Sequence, residues 1–292
     1  MEENKFKFDS KILSSAHIHF LFGAGVNGKA FPQLDGFAKT VEELKKYAYN
    51  YDGFEKSLNS IDNDNKKKVL DTFKDEFKEF YNNIDYDNES IKNIEKMFIQ
   101  INKLIDQSEN RTKTTKQVNI YSLNYDDIVE KALNDLGCLV NSISYDNYYH
   151  HDRFFDMIGY NNKYQKFMPT YLVLKLHGNI NAPIFPGDNK YDDALQRKRF
   201  ELFFTMKEKL TKYNSVLFVI GYSGRDEHIN EILNDCVAAG LTVYWFKYKS
   251  DDYVPCQLSS KIQLIDNKET PIDTTRLCGE MIEELWKKSS EE

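Results

Sequence analysis

Cysteine is scarce in this 292-residue chain, and the few present are scattered. Cys138, Cys236, Cys256 and Cys278 include no Cys-x-x-Cys pair to clasp zinc and no dense framework for disulfides, so reduced thiols and no metal site are expected. Long apolar runs are missing as well. The longest, such as Val216 to Ile220, have strand length and fall far short of the roughly 20 residues that cross a bilayer. The opening Met-Glu-Glu-Asn-Lys lacks the basic start, apolar stretch and cleavage site of a secretory signal, which predicts a cytoplasmic protein without a membrane partner. Positive charge is in deficit: at a formal charge of −7, uniform attraction to nucleic acid is excluded, and no direct nucleic-acid site is evident. The chain also shows no internal repeat and no low-complexity linker.

What is present alternates between short apolar runs and helical patterns. His17 to Phe22 is an apolar and aromatic run stopped by Gly23, which predicts a buried first strand. Further strands are expected at Gln117 to Ser122, Tyr171 to Leu176, Val216 to Ile220, Leu241 to Phe246 and Lys261 to Ile265. Helices are expected at Asp127 to Leu136, Asp193 to Lys212, Asp226 to Ala239 and Thr274 to Lys287. On the expected helix Asp193 to Lys212, Leu195, Phe200, Leu202, Phe203 and Leu210 are the candidate buried positions, while 138 to 168 reads as a long loop. Residues from about 40 to 112 change character, with Ile91, Ile94, Phe98, Ile101 and Ile105 at helical spacing, and predict a helical insertion lying outside the sheet. The whole reads as one domain over 1–292: an α/β, Rossmann-like doubly wound parallel sheet with a helical insertion and no zinc ribbon. Ile91, Phe98 and Ile105 exceed what a thin insertion hides easily, so homo-oligomerisation through that stripe is expected, with packing inside the insertion as the alternative.

Four strands end in polar tips. Gly23-Ala24-Gly25-Val26-Asn27-Gly28 fits G-x-G-x-x-G directly after the first strand, where amides approach a pyrophosphate without obstruction by Cβ atoms. A structural turn or a dehydrogenase would use the same pattern. A dehydrogenase needs a ribose-binding acid about 20 residues on, but Glu42 and Glu43 fall within a helical pattern, Val-Glu-Glu-Leu-Lys-Lys. Ser122-Leu123-Asn124-Tyr125-Asp126 ends the next strand, and either Asn124 or Asp126 would equally serve as a helix cap. Lys175-Leu176-His177-Gly178 places a lone histidine at a strand end, a position that is often structural. Gly221-Tyr222-Ser223-Gly224-Arg225-Asp226 precedes a helix and suits a phosphate, a ribose or a tight turn with an Asp cap.

In order and wording these tips resemble the sirtuin (Sir2) superfamily, in particular the SIR2-like domains of bacterial antiphage defence proteins. The matching elements are Gly23-Ala24-Gly25, Asn124-Tyr125-Asp126, Lys175-Leu176-His177-Gly178 and Gly221-Tyr222-Ser223, spanning about 17 to 246. The resemblance implies that Gly23, Ala24 and Gly25 cradle the diphosphate of NAD⁺, with Val26 and Asn27 opening the cofactor loop. It also implies Asn124 and Asp126 near the nicotinamide ribose and amide, His177 as base, and Gly221 and Ser223 on the adenosine side. Phe31-Pro32 matches that loop's Ile-Pro segment loosely, and Asp35-Gly36-Phe37 departs from its Phe-Arg ending. Protein-deacylating sirtuins carry two Cys pairs between the His segment and the Gly-Ser turn, whereas no Cys lies between His177 and Gly221. The resemblance therefore implies an NAD⁺ hydrolase that releases nicotinamide and ADP-ribose, with NAD⁺ as substrate and Asn124 and His177 as the catalytic pair. A non-catalytic NAD⁺ or ADP-ribose sensor and a structural subunit of a defence assembly are the alternatives, and a deacylase is disfavoured. A separately encoded partner such as a HerA-like ring ATPase is an expected regulator.

Overall fold

The computed structural model describes residues 8–108, 110–112, 114–144, 159–161, 166–168, 170–179, 184, 193–248, 262–265 and 273–289. Its centre is a seven-stranded parallel sheet. The strands are β1 (His17–Phe22), β2 (Val118–Ser122), β3 (Leu139–Ser144), β6 (Thr170–Lys175), β7 (Ser215–Ile220), β8 (Thr242–Phe246) and β9 (Ile262–Ile265), in spatial order β3-β6-β2-β1-β7-β8-β9. β4 (Gly159–Asn161) and β5 (Lys166–Met168) form a separate antiparallel ribbon. Every pairing in the large sheet is parallel, with Phe22 opposite both Ser122 and Ile220, and Ser122 opposite Lys175. The chain builds outward on one side of β1 and then crosses to β7 on the other, so the order reverses between β1 and β7.

The strands read as near-continuous apolar runs because both sheet faces are covered. On one face Ile18, Phe20, Phe22, Ile120, Val173 and Phe218 are buried with α5 (Glu89–Gln107), α6 (Ile128–Asp135) and α9 (Thr274–Ser289). On the other, Leu21, Tyr121, Leu174, Leu217 and Val219 are buried with α7 (Asp193–Leu210) and α8 (Glu227–Ala238). Alternate residues along each strand serve opposite layers, as the pleat requires. A single turn, α1 (Ser10–Leu13), precedes β1.

The predicted insertion divides into two parts. α2 (Ala38–Lys45), α3 (Phe54–Asn59) and α4 (Asn63–Asn82) form a helical layer ordered by Phe31, Phe37, Phe73 and Phe77, with Phe37 and Phe73 centroids 4.8 Å apart. The buried Glu76 carboxylate of α4 accepts the amides of Lys39 at 3.1 Å and Thr40 at 2.8 Å, supplying the cap that Phe37 cannot give α2. α5, by contrast, lies on the sheet and is the crossover helix joining β1 to β2. Phe98 meets the rings of Phe20, Phe22 and Tyr171, and Ile91, Ile94, Ile101 and Ile105 are all buried in that layer. The stripe expected to mediate oligomerisation is thus part of the chain's own core, because α9 and the sheet occupy it from two sides.

Two further expectations differ from the structure. Within 138–168, expected as a loop, Leu139–Ser144 is the edge strand β3, and β4 and β5 also occur; residues 145–158 and 162–165 lie outside the described set. β3 covers only Ile143 and Ser144 fully, so its polar sequence carries no clear alternation. On α7, Phe200 is 70% exposed, whereas Leu202, Met206 and Leu210 are buried one turn apart and Phe203 is partly buried. The Leu195 side chain lies outside the described residues.

Phe98→Ala should cost about 3–5 kcal/mol, the range for removing a fully packed aromatic ring. Phe200→Ala should stay within about 0.5 kcal/mol, as for exposed positions. Urea denaturation of both variants checks this, and equal losses would contradict the placement of α5 on the sheet.

Candidate functional site

All four predicted tips stand at the carboxyl edge of the sheet, around the point where the strand order reverses. In open α/β sheets that is where ligands bind. The tip after β1 is a short 3-10 turn, Ala24–Asn27, not the opening of a long helix. Its glycines are explained by a close approach to the turn after β7. A Cβ on Gly23, Gly25 or Gly221 would lie inside 3.0 Å of backbone atoms of the facing turn, and Gly221 also has φ +67°. The Gly25 amide donates to Gly221 O at 3.0 Å, and the Gly23 amide donates to Ile220 O at 3.1 Å. Two of the amides expected to cradle a diphosphate are therefore committed to holding the turns together. What these residues leave for a ligand is a floor of backbone at the glycines, with Ala24 exposed on it and Val26 buried beneath.

The β2 tip is tied to that floor. Asn124 is buried, its Nδ2 donates to Gly23 O at 3.2 Å, and its backbone amide donates to Ser122 Oγ at 3.2 Å. With the NH₂ group anchored, the amide oxygen is the atom of Asn124 suited to accept from a ribose hydroxyl or a water. Tyr125 leans the other way, its ring against Phe73 and Phe77 and its hydroxyl donating to Ile184 O at 2.9 Å, so the helical layer α2–α4 braces this tip.

Beneath the rim lies a buried polar network that connects two predicted residues, Asn27 and Asp126, with Lys175, Glu130 and Ser142. Asp126 accepts Asn27 Nδ2 at 2.7 Å and the Ile128 amide at 3.1 Å. Lys175 Nζ donates to the Asp126 carbonyl oxygen and pairs with Glu130 Oε1 at 3.3 Å, which also accepts from Ser142 Oγ at 3.0 Å. Among the described residues Asn27 Oδ1 is buried with no hydrogen-bond partner, a polar atom that a bound N–H or O–H group would satisfy. Burial pushes the Asp126 carboxyl above the usual carboxylate range, outweighing the Lys175 charge and the donated hydrogen bonds that act to lower it.

His177 sits in a tight turn closed by Gly178 N to Lys175 O at 3.1 Å and pinned by Ile184 N to His177 O at 2.8 Å. Its Nε2 lies 3.0 Å from Asp226 Oδ2, a contact between the tips of β6 and β7. Asp226 had appeared in the sequence only as a helix cap, and nothing in its spacing pairs it with a histidine 49 residues earlier. Ser223, expected on the adenosine side, is exposed on the same rim beyond Gly221.

A carboxyl whose pKa is raised on folding stabilises the fold while protonated. That contribution is complete below the unfolded-state value of about 4, is lost as pH rises through the higher folded-state value, and leaves a cost at neutrality. Asp126→Asn should accordingly gain stability relative to the parent on going from pH 4 to pH 7. Denaturant midpoints at the two pH values test this, and a parent-to-variant difference independent of pH would contradict it.

Residues 118–266 match the family model described as a SIR2-like domain. Among solved structures, one from work on the structural basis for the mechanism and regulation of Sir2 enzymes aligns over 99% of this chain and 99% of its own, with a TM-score of 0.49 and 14% identity. A comparison with curated proteins found no match. The family match covers more than half of the chain and runs through the Asn124, His177 and Gly221 tips. The chain belongs to the SIR2-like domain family.

Proposed function

We propose that this chain is an NAD⁺ hydrolase that cleaves the bond between nicotinamide and ribose. SIR2-like domains are generally NAD⁺-dependent enzymes, and the observation that carries the finer reading is the placement of Asn124 and His177 on neighbouring strand tips beside the Gly23–Gly25 floor. Asn124 is anchored through its NH₂ group, and His177 is held through its backbone and through Nε2 against Asp226, so both side chains are oriented before any ligand arrives.

The nicotinamide ring of NAD⁺ is a good leaving group because it departs neutral. Its departure requires a site that tolerates an oxocarbenium-like ribose, as in glycoside hydrolysis. In the proposed step the C1′–N bond breaks with its electron pair going to the ring nitrogen. Water oxygen bonds to C1′, and the water's proton passes to His177. The products are nicotinamide, ADP-ribose and one proton. Asn124 Oδ1 receives a hydrogen bond from the attacking water or a ribose hydroxyl, while the bare glycine floor accepts the diphosphate half, whose binding orients the reacting half. Water is favoured as the acceptor over an acyl-lysine because the span from His177 to Gly221 holds no cysteine for a zinc module, and α7 fills much of that span.

The reading extends to its setting. NAD⁺ depletion in antiphage defence is the role implied by the resemblance of the four tips, with self-assembly or a separately encoded partner such as a HerA-like ATPase as the control.

Purified protein incubated with NAD⁺ should release nicotinamide and ADP-ribose, resolved by chromatography with mass detection. Asn124→Ala and His177→Ala should each lose on the order of 10²-fold or more in turnover, the range for a general base or its positioning partner. Asp235→Ala, on α8 and in an exposed ion pair with Lys207, should keep parental activity. Parental turnover in an active His177→Ala protein would overturn the assignment.

A further inference from the structure

We propose that Asp226 is the positioning residue for His177, fixing the ring tautomer that carries its proton on Nε2 and leaving Nδ1 as the proton acceptor. The proposal rests on the hydrolase reading for its catalytic consequence, but the tautomer itself does not. β6 and β7 are separated in the sheet by β2 and β1, so their tips stand about three strand spacings, roughly 14 Å, apart. The side chains nevertheless meet at 3.0 Å, which means the pair bridges the strand ends that carry Asn124 and the glycine floor.

Helix capping accounts for only half of the Asp226 carboxylate. Oδ1 accepts the amides of His228 at 3.1 Å and Ile229 at 3.2 Å, as an N-cap does, and Oδ2 is the atom that meets His177. The turn carrying it is braced on several sides. The Asp226 amide donates to the Tyr222 hydroxyl at 3.2 Å, that hydroxyl lies 3.0 Å from Asp226 O and from Asn230 Oδ1, and Asn230 Nδ2 donates to Gly224 O at 2.7 Å. Both partners are only about one-fifth exposed, with side-chain values of 20% for His177 and 22% for Asp226. A fixed carboxylate offers acceptors only, so the imidazole must present an N–H on Nε2, and its one remaining lone pair is then on Nδ1. When Nδ1 takes the proton from water, the ring becomes cationic with a carboxylate already in place against it.

Asp226→Asn separates capping from tautomer control, because Asn caps helices as well as Asp does. Its amide oxygen can keep the His228 and Ile229 amides, turning the NH₂ group toward Nε2, which must then accept. The proton is thereby moved to Nδ1 and the acceptor is lost. The variant is expected to keep the parental denaturation midpoint and NAD⁺ affinity while turnover falls by about 10²- to 10⁴-fold. Long-range ¹⁵N spectra of the histidines, with the His177 signal identified by its loss in His177→Gln, should show the proton on Nε2 in the parent and on Nδ1 in Asp226→Asn. Asp226→Glu, which restores a carboxylate, should return toward the parental tautomer and exceed Asp226→Asn in turnover. A parent with its proton on Nδ1, or an Asp226→Asn protein with parental tautomer, overturns the proposal. If the tautomer switches as stated but no form of the protein consumes NAD⁺, the hydrolase reading fails while the assignment of Asp226 to the ring stands.

Discussion

The backbone-to-backbone contact between the turn after β1 and the turn after β7 sets the geometry of the whole carboxyl edge. Parallel strands of a doubly wound sheet diverge in their connections at the switch point, and a cleft forms there by default. In this chain the two turns that flank the switch are drawn together, Gly25 N to Gly221 O at 3.0 Å, at a separation that no side chain at Gly23, Gly25 or Gly221 would permit. The floor of the cleft is therefore backbone, and everything polar must arrive from its margins. Asn124 comes from β2 and is tied down to Gly23 O, while His177 from β6 meets Asp226 from beyond β7 across the top. The same contact changes the meaning of the glycine motif: two of its amides serve protein carbonyls, and its glycines permit close packing of turns as well as close approach of a ligand.

Beneath this rim the protein accepts a group of buried ionisable side chains that a purely structural core would avoid. Asp126, Lys175 and Glu130 are all buried, and the Asp126 carboxyl is held above its usual range by loss of water. Replacing such groups by apolar ones commonly leaves stability unchanged or improved, so their presence is weak evidence for a stabilising role. Their value here is geometric. Lys175 joins the β6 strand to the loop after β2, and Asp126 joins that loop to Asn27 in the β1 turn, so three tips are cross-linked below the surface at which a ligand would rest.

Much of the architecture was legible in the residue pattern. The apolar runs at Ile18–Phe22, Val118–Ser122, Tyr171–Lys175 and Ser215–Ile220 are buried on both faces, and such strands need no alternation to be recognised. Their polar endings were legible too, since Gly23, Asn124, His177 and Gly221 interrupt those runs abruptly. β3 was not, because an edge strand with one sparsely covered face has no reason to show a two-residue period. The role of α5 was misread as peripheral because an amphipathic stripe states that a face is buried and says nothing about what buries it. Phe98 could have met a second subunit, and in fact meets Phe20 and Phe22.

The sequence by itself determined the sheet's class, the order of the four tips and the residue types available there, because hydrophobic periodicity and turn chemistry act over a few neighbouring residues. Only the tertiary structure decided which of those residues touch. Asp226 reaches His177 across two intervening strands, Gly25 spends its amide on Gly221, and Lys175 folds back on Asp126 and Glu130. Each of these contacts joins segments separated by tens to hundreds of residues. They are set by the lateral order of parallel strands, which arises from the packing of whole helices on both faces of the sheet.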